Sequence, residues 1–283
     1  MTKEMMREAR PAVLTVAGFD PSSGAGITAD LKVFAAHGLH GLAALTALTV
    51  QSTEGVRRME PVDGGLLRET LECLAEDIPV AGVKIGMLAT GKNVRVVAEF
   101  LRTAGMPRGR VVLDPVIRSS SGKALLEAHG VEALREELLP QVGWVTPNLA
   151  ELEVLSGVKA GNADAVAEGA RRLAEAVRQK GNDELNVVVT GGHAEKPNDF
   201  LRTAAGEERW FAGEWLETRA THGTGCSFAS ALLCRVVMGD GPAEAVAAAK
   251  QYVREAMEAA YPVGKGKGPL HHFYGFESGR VRE

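Results

Sequence analysis

Short, continuous apolar runs recur along this chain at residues 12–17, 45–50, 82–85, 111–113, 144–146 and 186–190. A strand with one wet face alternates apolar and polar residues. These runs do not alternate, so each is read as a strand covered on both faces, the habit of parallel sheets. Between them lie helical patterns at 27–37, 64–77, 93–103, 131–138, 150–156 and 163–179, with two more at 226–238 and 242–260. The alternation predicts an α/β fold: a doubly wound, mainly parallel sheet flanked by helices on both faces. Two short segments of antiparallel character, 199–202 and 208–211, interrupt the order and read as a β flap or a sheet edge. No linker, charge block or internal repeat divides the 283 residues. A single domain over 12–275 is expected, after a flexible extension (1–11) and before a short tail (276–283).

Charge and cysteine usage narrow the function classes. The formal net charge is −4, so no basic field attracts nucleic acid. No apolar run approaches the roughly 18 residues that span a bilayer, and the charged start followed by Gly18, Asp20 and Pro21 is not a secretory signal. Cys73, Cys226 and Cys234 are scattered and contain no CxxC pair, which disfavours a disulfide framework or a zinc site. A cytoplasmic location is expected, without membrane or nucleic-acid partners.

Glycine is in excess, with 33 in the chain where about 7% is usual. Many fall in the corners that follow strands, and ligands of open α/β sheets bind there. In Thr221-His222-Gly223-Thr224-Gly225-Cys226, glycines precede an apolar helix, so backbone N–H groups and a helix N-terminus can face one anion. The plain alternative is a loop with a Thr or Ser cap, and a helix-start position lowers the pKa of Cys226. The corner from Gly18 to Gly26 is not a GxGxxG fingerprint; it is either a loop facing a small molecule or a simple turn. Asp30, one turn further, either faces that pocket or is solvated. Asp114 ends a buried run. Asn148 and Glu151 are three apart, so they either share a metal's water shell or form a helix capping box. Thr190-Gly191-Gly192-His193 is a glycine pair after a strand, with a simple turn as its alternative. No P-loop is present.

Eight ordered stretches resemble the ribokinase-like superfamily and, within it, the hydroxymethylpyrimidine/phosphomethylpyrimidine kinase family. They are AGFDPSSGAGITADLK, LTALTVQSTEGV, VKIGMLA, VVLDPVIRSSSG, LLPQVGWVTPNLAELEVLSG, VVVTGGH, THGTGCSFASAL and VGKGKGPLHHF. The resemblance implies an ATP- and Mg²⁺-dependent homodimeric kinase of a small pyrimidine, acting on the hydroxymethyl compound and then on its monophosphate. It implies that Gly223, Thr224 and Gly225 form an anion hole and that Cys226 activates or contacts the hydroxymethyl group. It also implies that Gly18, Ala25, Asp30, Gln51, Met87 and Val116 line the pyrimidine. Asn148, Glu151, Thr190 and Gly192 are implied on the nucleotide side, with Asp114 and Glu151 toward the metal. A pyridoxine or pyridoxal kinase of the same fold and chemistry is the alternative.

The chain departs from the family pattern at three places. Ser23 and Thr28 stand in the DPSGGAGIQAD stretch, Thr190 stands where Lys is common, and Ile117-Arg118-Ser119 replaces M-x-A. Arg118 is a candidate substitute for that lysine or a ligand for the substrate's monophosphate. Two readings from other classes remain at this stage. One is a thiol hydrolase pairing Cys226 with His222; the other is a non-catalytic binding protein. Cys73 and Cys234 read as small core residues.

Overall fold

The structure, a computed structural model, describes residues 10–119, 122–192 and 196–277. Most of the expected extension, its residues 1–9, lies outside the described residues, as do Ser120, Ser121, His193 and tail residues 278–283.

The chain opens with β1 (Ala12–Phe19), α1 (Gly26–Ala36), β2 (His40–Ser52), β3 (Gly55–Pro61), α2 (Gly64–Asp77), β4 (Val80–Ile85) and α3 (Gly91–Thr103). It continues with β5 (Val111–Leu113), α4 (Ala128–Ala133), β6 (Trp144–Val145), α5 (Leu149–Ser156), α6 (Ala163–Arg178) and β7 (Asn186–Val189). It ends with β8 (Asp199–Arg202), β9 (Glu208–Phe211), α7 (Thr224–Met238), α8 (Pro242–Glu258) and the single turn α9 (Tyr274–Glu277). The strands form one sheet in the order β3-β2-β1-β4-β5-β6-β7-β8-β9. β2, β1, β4, β5, β6 and β7 run parallel, while β3 pairs antiparallel with β2, β8 with β7 and β9 with β8. The 199–202 and 208–211 segments are therefore a sheet edge.

Strand β3 is the element the sequence pattern does not announce. Its GVRRMEP is polar because only one neighbour, β2, pairs with it and its faces are largely wet. The expected helix at 131–138 starts earlier, at Ala128, and passes into a π turn over Leu134–Leu138.

Two apolar layers cover the sheet. On one face, Leu67, Val97, Leu138, Leu152 and Leu173 pack on Leu14, Val83, Val111 and Val187. On the other, Phe34, Phe228, Leu232 and Val246 pack on Val13, Val112 and Val188. Adjacent strand residues belong to opposite layers, which explains why the strands lack a polar face. Cys234 is buried as expected, but Cys73 is exposed on α2 rather than in the core. No described helix is long and apolar enough to cross a membrane.

The order of the strands places the functional cleft. From β1 the chain moves to β2 on one side, and β4 then pairs with the other side of β1. At such a reversal the loops at the carboxyl ends part and leave a crevice. The ends of β1, β4, β5, β6 and β7 all open on this side, as the parallel registers require.

The C-terminal segment returns to pack on α8. His272 is 3% exposed, and the Tyr252 hydroxyl reaches both its Nδ1 and its carbonyl oxygen, at 3.2 and 3.3 Å. Burial, reinforced by Lys32, His271 and His37, holds the imidazole down at about 4. The unfolded chain gains this proton near pH 6.5 and the folded chain only near 4, so stability falls as pH drops through that window. The loss is on the order of 3 kcal/mol. Denaturation of the parent and His272→Asn across pH 7 to 4 should show that this acid-side loss is flattened in the variant; parallel curves would refute it.

Candidate active site

The first residues of the site come from the sheet itself. Thr15 on β1 and Lys84 on β4 are register neighbours, and both point to the α1/α7 side. There the Asp30 carboxylate of α1 accepts hydrogen bonds from Thr15 Oγ1 (2.6 Å), Lys84 Nζ (3.0 Å) and Ser230 Oγ of α7 (2.7 Å). Lys84 and Asp30 are both fully buried. Asp30 is thus neither solvated nor a free group facing a pocket. It is an interior acid with its oxygens committed, because α1 turns this position inward onto the sheet. Burial alone would push the Lys84 ammonium down, yet Asp30, Cys226 and Asp114 hold its pKa above the ordinary value.

Above this pair sits Cys226, on the first turn of α7. The Gly26 backbone and the Asp114 carboxyl, which follows β5, are close enough to act on its thiol. Burial pushes the thiol up to about 12, against the pull of Lys84 and with the help of the Asp114 and Asp30 charges. The lowered pKa that a helix-start position suggests is not found: desolvation and the Asp114 and Asp30 charges hold the group up, and Cys226 rests as a thiol. Burial likewise raises Asp114 to about 6, opposed by Lys84. Glu151 rises to about 8, through burial and then the charge of Asp114.

The Gly223–Gly225 corner has the form expected of an anion nest. Gly223 caps α7 with φ +83, and a Cβ there would lie 1.8 Å from the Gly24 carbonyl oxygen. This contact requires glycine and joins the nest to the first loop. The N–H groups of the first turn have no acceptor within the helix, so those of Thr224, Gly225 and Cys226 are available to an anion.

Asp20, in the turn after β1, organises that first loop. Its carboxylate accepts from Ser22 N and Oγ, Gly24 N and Ala25 N, at 2.7–3.1 Å. His222 Nε2 donates to the same carboxylate at 2.7 Å and lies 3.1 Å from the Gln51 amide. Burial raises the Asp20 pKa, but the bonds from His222 and Ser22 outweigh it and the net shift is down. His222 Nε2 is thereby committed to Asp20, and among the described residues no hydrogen bond joins His222 to Cys226. The Cys–His pairing that a thiol hydrolase needs is not formed.

Gly18, Met87 and Val116, which the resemblance groups, lie together in the structure. A Cβ on Gly18 would lie 2.1 Å from the Met87 methyl group. Met87 packs with Ala47, Ala89, Leu125, Met59 and Val116 in a small apolar cluster at the strand ends. Gln51 follows a register shift between β2 and β3, a bulge of the kind that re-aims a side chain. Ala25, at the N-cap of α1, faces the loop through its backbone.

On the nucleotide side, Asn148 and Glu151 form the capping box of α5. Asn148 Oδ1 accepts from Glu151 N and Glu151 Oε2 from Asn148 N, each at 3.0 Å. Glu151 Oε1 also accepts from Ile117 N, at 3.4 Å. The capping alternative is therefore realised, and the Glu151 oxygens keep only their remaining lone pairs for a metal. Among the described residues no cluster of three or more His, Cys, Asp or Glu stands ready for a metal ion. Two buried, mutually repelling carboxylates, Asp114 and Glu151, do suit a divalent cation that arrives with waters and phosphates.

Thr190 lies beside Asn148 in a parallel bridge. Gly192 has open space around it, whereas a Cβ on Gly191 would lie 1.9 Å from the Asn198 oxygen. The crowded glycine of this turn is thus Gly191. Arg118 is exposed, and its guanidinium donates to Gly122 within its own turn (3.4 Å); among the described residues no hydrogen bond joins it to Thr190. The cation that stands beside this turn is Lys250 of α8. It donates to Asp199 Oδ2 at 2.6 Å, while Asp199 Oδ1 accepts from Gly191 N at 2.8 Å.

Two stability predictions follow from this geometry. Ser23, a departure from the family glycine, has φ +59, a region that costs a non-glycine residue about 1–2 kcal/mol. Ser23→Gly, after the extra chain entropy glycine loses, should raise stability by about 0.5–1 kcal/mol, or ~1–3 °C in Tm; a lower Tm would refute it. Lys84→Met strands the Asp30 charge and should cost about 3–5 kcal/mol in urea denaturation. Adding Asp30→Asn should recover more than half, and a single-variant cost below about 1 kcal/mol would sink the idea.

Comparison with known proteins agrees with this arrangement. The phosphomethylpyrimidine kinase family matches residues 20–271. A hydroxymethylpyrimidine/phosphomethylpyrimidine kinase of Rhizobium meliloti (strain 1021) is 40% identical over 265 residues, 92% of this chain and 96% of that protein. The crystal structure of an ADP complex of Bacillus subtilis pyridoxal kinase superposes with a TM-score of 0.81 at 31% identity, covering 93% of this chain and 98% of that one. The phosphomethylpyrimidine kinase of Clostridium difficile 630 superposes with a TM-score of 0.74 at 34% identity, covering 87% and 99%. With strand order and sequence in agreement, the chain belongs to the phosphomethylpyrimidine kinase family.

Proposed function

We propose that this chain transfers the γ-phosphate of ATP to the hydroxymethyl group of 4-amino-5-hydroxymethyl-2-methylpyrimidine, and then phosphorylates the monophosphate to the diphosphate, in thiamine biosynthesis. The observation that carries the reading is a convergence at one crevice. The Gly223–Gly225 nest, the Cys226–Asp114 contact, the Gln51 amide and the Met87/Val116 wall all meet at the sheet's reversal point. Such a set would suit an anion beside an apolar-walled acceptor with one amide.

ATP supplies the phosphoryl group, and Mg²⁺ neutralises charge on its phosphates. Asp114 and Glu151 would hold that ion, largely through water, because the capping box already uses part of Glu151. Asn148, Thr190 and Gly192 border the phosphates, with Lys250 the nearby cation. The first-turn amides of α7 face the charge that develops on the transferring group. Gln51 offers a donor and an acceptor to the aminopyrimidine edge, and Gly18, Ala25, Met87 and Val116 close around the ring. Asp30 acts from beneath, by fixing Lys84 under Cys226, rather than by touching the ring.

Cys226 sits where the hydroxymethyl oxygen would arrive. As a resting thiol it is a poor base, and a loose phosphoryl-transfer transition state asks little of one. Its task is to place the hydroxyl. The homodimer that the resemblance implies would have Leu48 and Val50 on β2 to use, 50% and 51% exposed. A cytoplasmic location belongs to the same reading.

Pyridoxal is the second acceptor to consider, since a solved relative of high likeness is a pyridoxal kinase. A coupled ATP assay on the pyrimidine, its monophosphate and pyridoxal should give the highest kcat/KM on the two pyrimidines. A preference for pyridoxal would move the assignment to the second reading, and no turnover on any of them would end the kinase reading. Loss of an obligatory base costs about 10²–10⁴ in rate. Cys226→Ala should lose less than about 10² in kcat, with Cys226→Ser retaining more than Ala; a larger loss would make the thiol the base.

A further inference from the structure

The hairpin of β2 and β3 carries Gln51 close to its tip, and nothing within a two-stranded ribbon holds such a tip firmly. Here the tip is held from outside. The glycine-rich segment after α8, Val263-Gly264-Lys265-Gly266-Lys267-Gly268-Pro269, crosses the turn at Thr53. Gly266 N–H donates to Thr53 Oγ1 at 3.1 Å, and Lys267 N–H donates to the Thr53 carbonyl at 3.0 Å. A Cβ on Gly266 would lie 2.0 Å from that carbonyl oxygen, and one on Gly264 would lie 2.4 Å from Thr53 Oγ1. The approach is therefore open only to glycine.

The same segment holds the loop that leads to the anion nest. Gly268 N–H donates to Arg219 O at 2.9 Å, and His222 N–H donates to Gly268 O at 3.1 Å. Its far end is anchored by buried Leu270 and His272 and by the bond from His271 N–H to Ala256 O on α8. One short strap thus binds two parts remote in sequence, Thr53 on the hairpin and His222 before α7. The side chains that meet between them are Gln51 and His222, at 3.1 Å.

We infer that the 264–268 strap is a positioning element of the acceptor site: by clamping Thr53 and His222 to one backbone it sets where the Gln51 amide stands before substrate arrives. Thr53, Gly264 and Gly266 act through Gln51 and touch neither nucleotide nor reacting atoms. A preset wall avoids the ordering cost that a free hairpin would impose on binding. The inference rests on the reading of Gln51 as an acceptor-site residue.

The test uses the full chain with Gly266→Ala and Thr53→Val, since the second removes one acceptor oxygen without adding bulk. Loss of a hydrogen bond of this kind corresponds to roughly a two- to tenfold effect. The expected result is a KM for the pyrimidine raised by about that factor, with KM for ATP and kcat changed less than about twofold. Thr53→Ser, which restores the oxygen, should recover most of the loss. Hydrogen exchange should show faster exchange at residues 51–54 in Thr53→Val, at an unchanged rate in the sheet core. Faster exchange with an unaltered pyrimidine KM would overturn the inference, as would equal rises in both KM values. If the parent chain phosphorylates no pyrimidine, the functional reading fails instead, while unchanged exchange at 51–54 would independently remove the clamp.

Discussion

The ion pair between Lys84 and Asp30 is the contact on which the site's geometry rests. It is fully buried, and its hydroxyl partners Thr15 and Ser230 bring four elements, β1, β4, α1 and α7, to one point. Those elements carry the first loop, the Met87 turn and the anion nest at their ends. An ion pair in this position is not a cheap source of stability, because taking both charges from water costs several kcal/mol per ion. What it supplies is a fixed relation between sheet and helices, since any displacement of α1 against β4 would leave a buried charge without its partner. It also places a positive charge beneath Cys226 and Asp114, where the site otherwise holds acids.

A second network, centred on Asp20, does for the surface loops what Asp30 does for the interior. Four backbone and hydroxyl donors from 22–25 converge on one carboxylate, and His222 joins it from the far side of the cleft. The carboxylate binds more donors than its own loop needs, so the loop's shape and its distance from the nest are set together. The two aspartates exchange the roles that spacing suggests. Asp30 looks like a pocket residue and is interior, whereas Asp20 looks like a turn residue and organises the pocket. Sequence separation from a glycine does not reveal which way a helix faces, and that direction decided the case of Asp30.

Most of the fold was legible because the parallel strands are buried on both faces, and burial writes itself into unbroken apolar runs. The same physics hid β3, whose wet faces leave no run to find. Gly223 could be picked out because glycines before an apolar helix leave backbone N–H groups facing one spot, whereas Met87 and Val116, which the structure packs together, entered only through the resemblance. The site was not legible where the outcome depended on competing environments. For Cys226, the helix N-terminus argued for a lowered pKa, and burial beside two acids won. For Asn148 and Glu151, spacing allowed a cap or a metal site, and only coordinates show that the cap is closed. For Gln51, the alternation of β2 would not by itself say where the amide points, because a register shift intervenes.

The glycine excess divides along the same line. One set ends helices or turns in open space: Gly157 and Gly239 take positive φ as caps and would meet nothing with an added Cβ. The other set exists because one backbone lies against another. A Cβ on Gly26 would strike the Gly18 oxygen at 2.2 Å, and one on Gly223 would strike the Gly24 oxygen at 1.8 Å. Crowding of this kind cannot be seen in composition, since both sets count alike there. It identifies the loops that touch, and around the candidate site these include the first loop, the 223–225 corner and the strap. A cleft assembled from loops so closely apposed holds its shape by steric exclusion as much as by hydrogen bonding. That is consistent with a family that must bring a small ring and a phosphate to the same few atoms without a large closing domain.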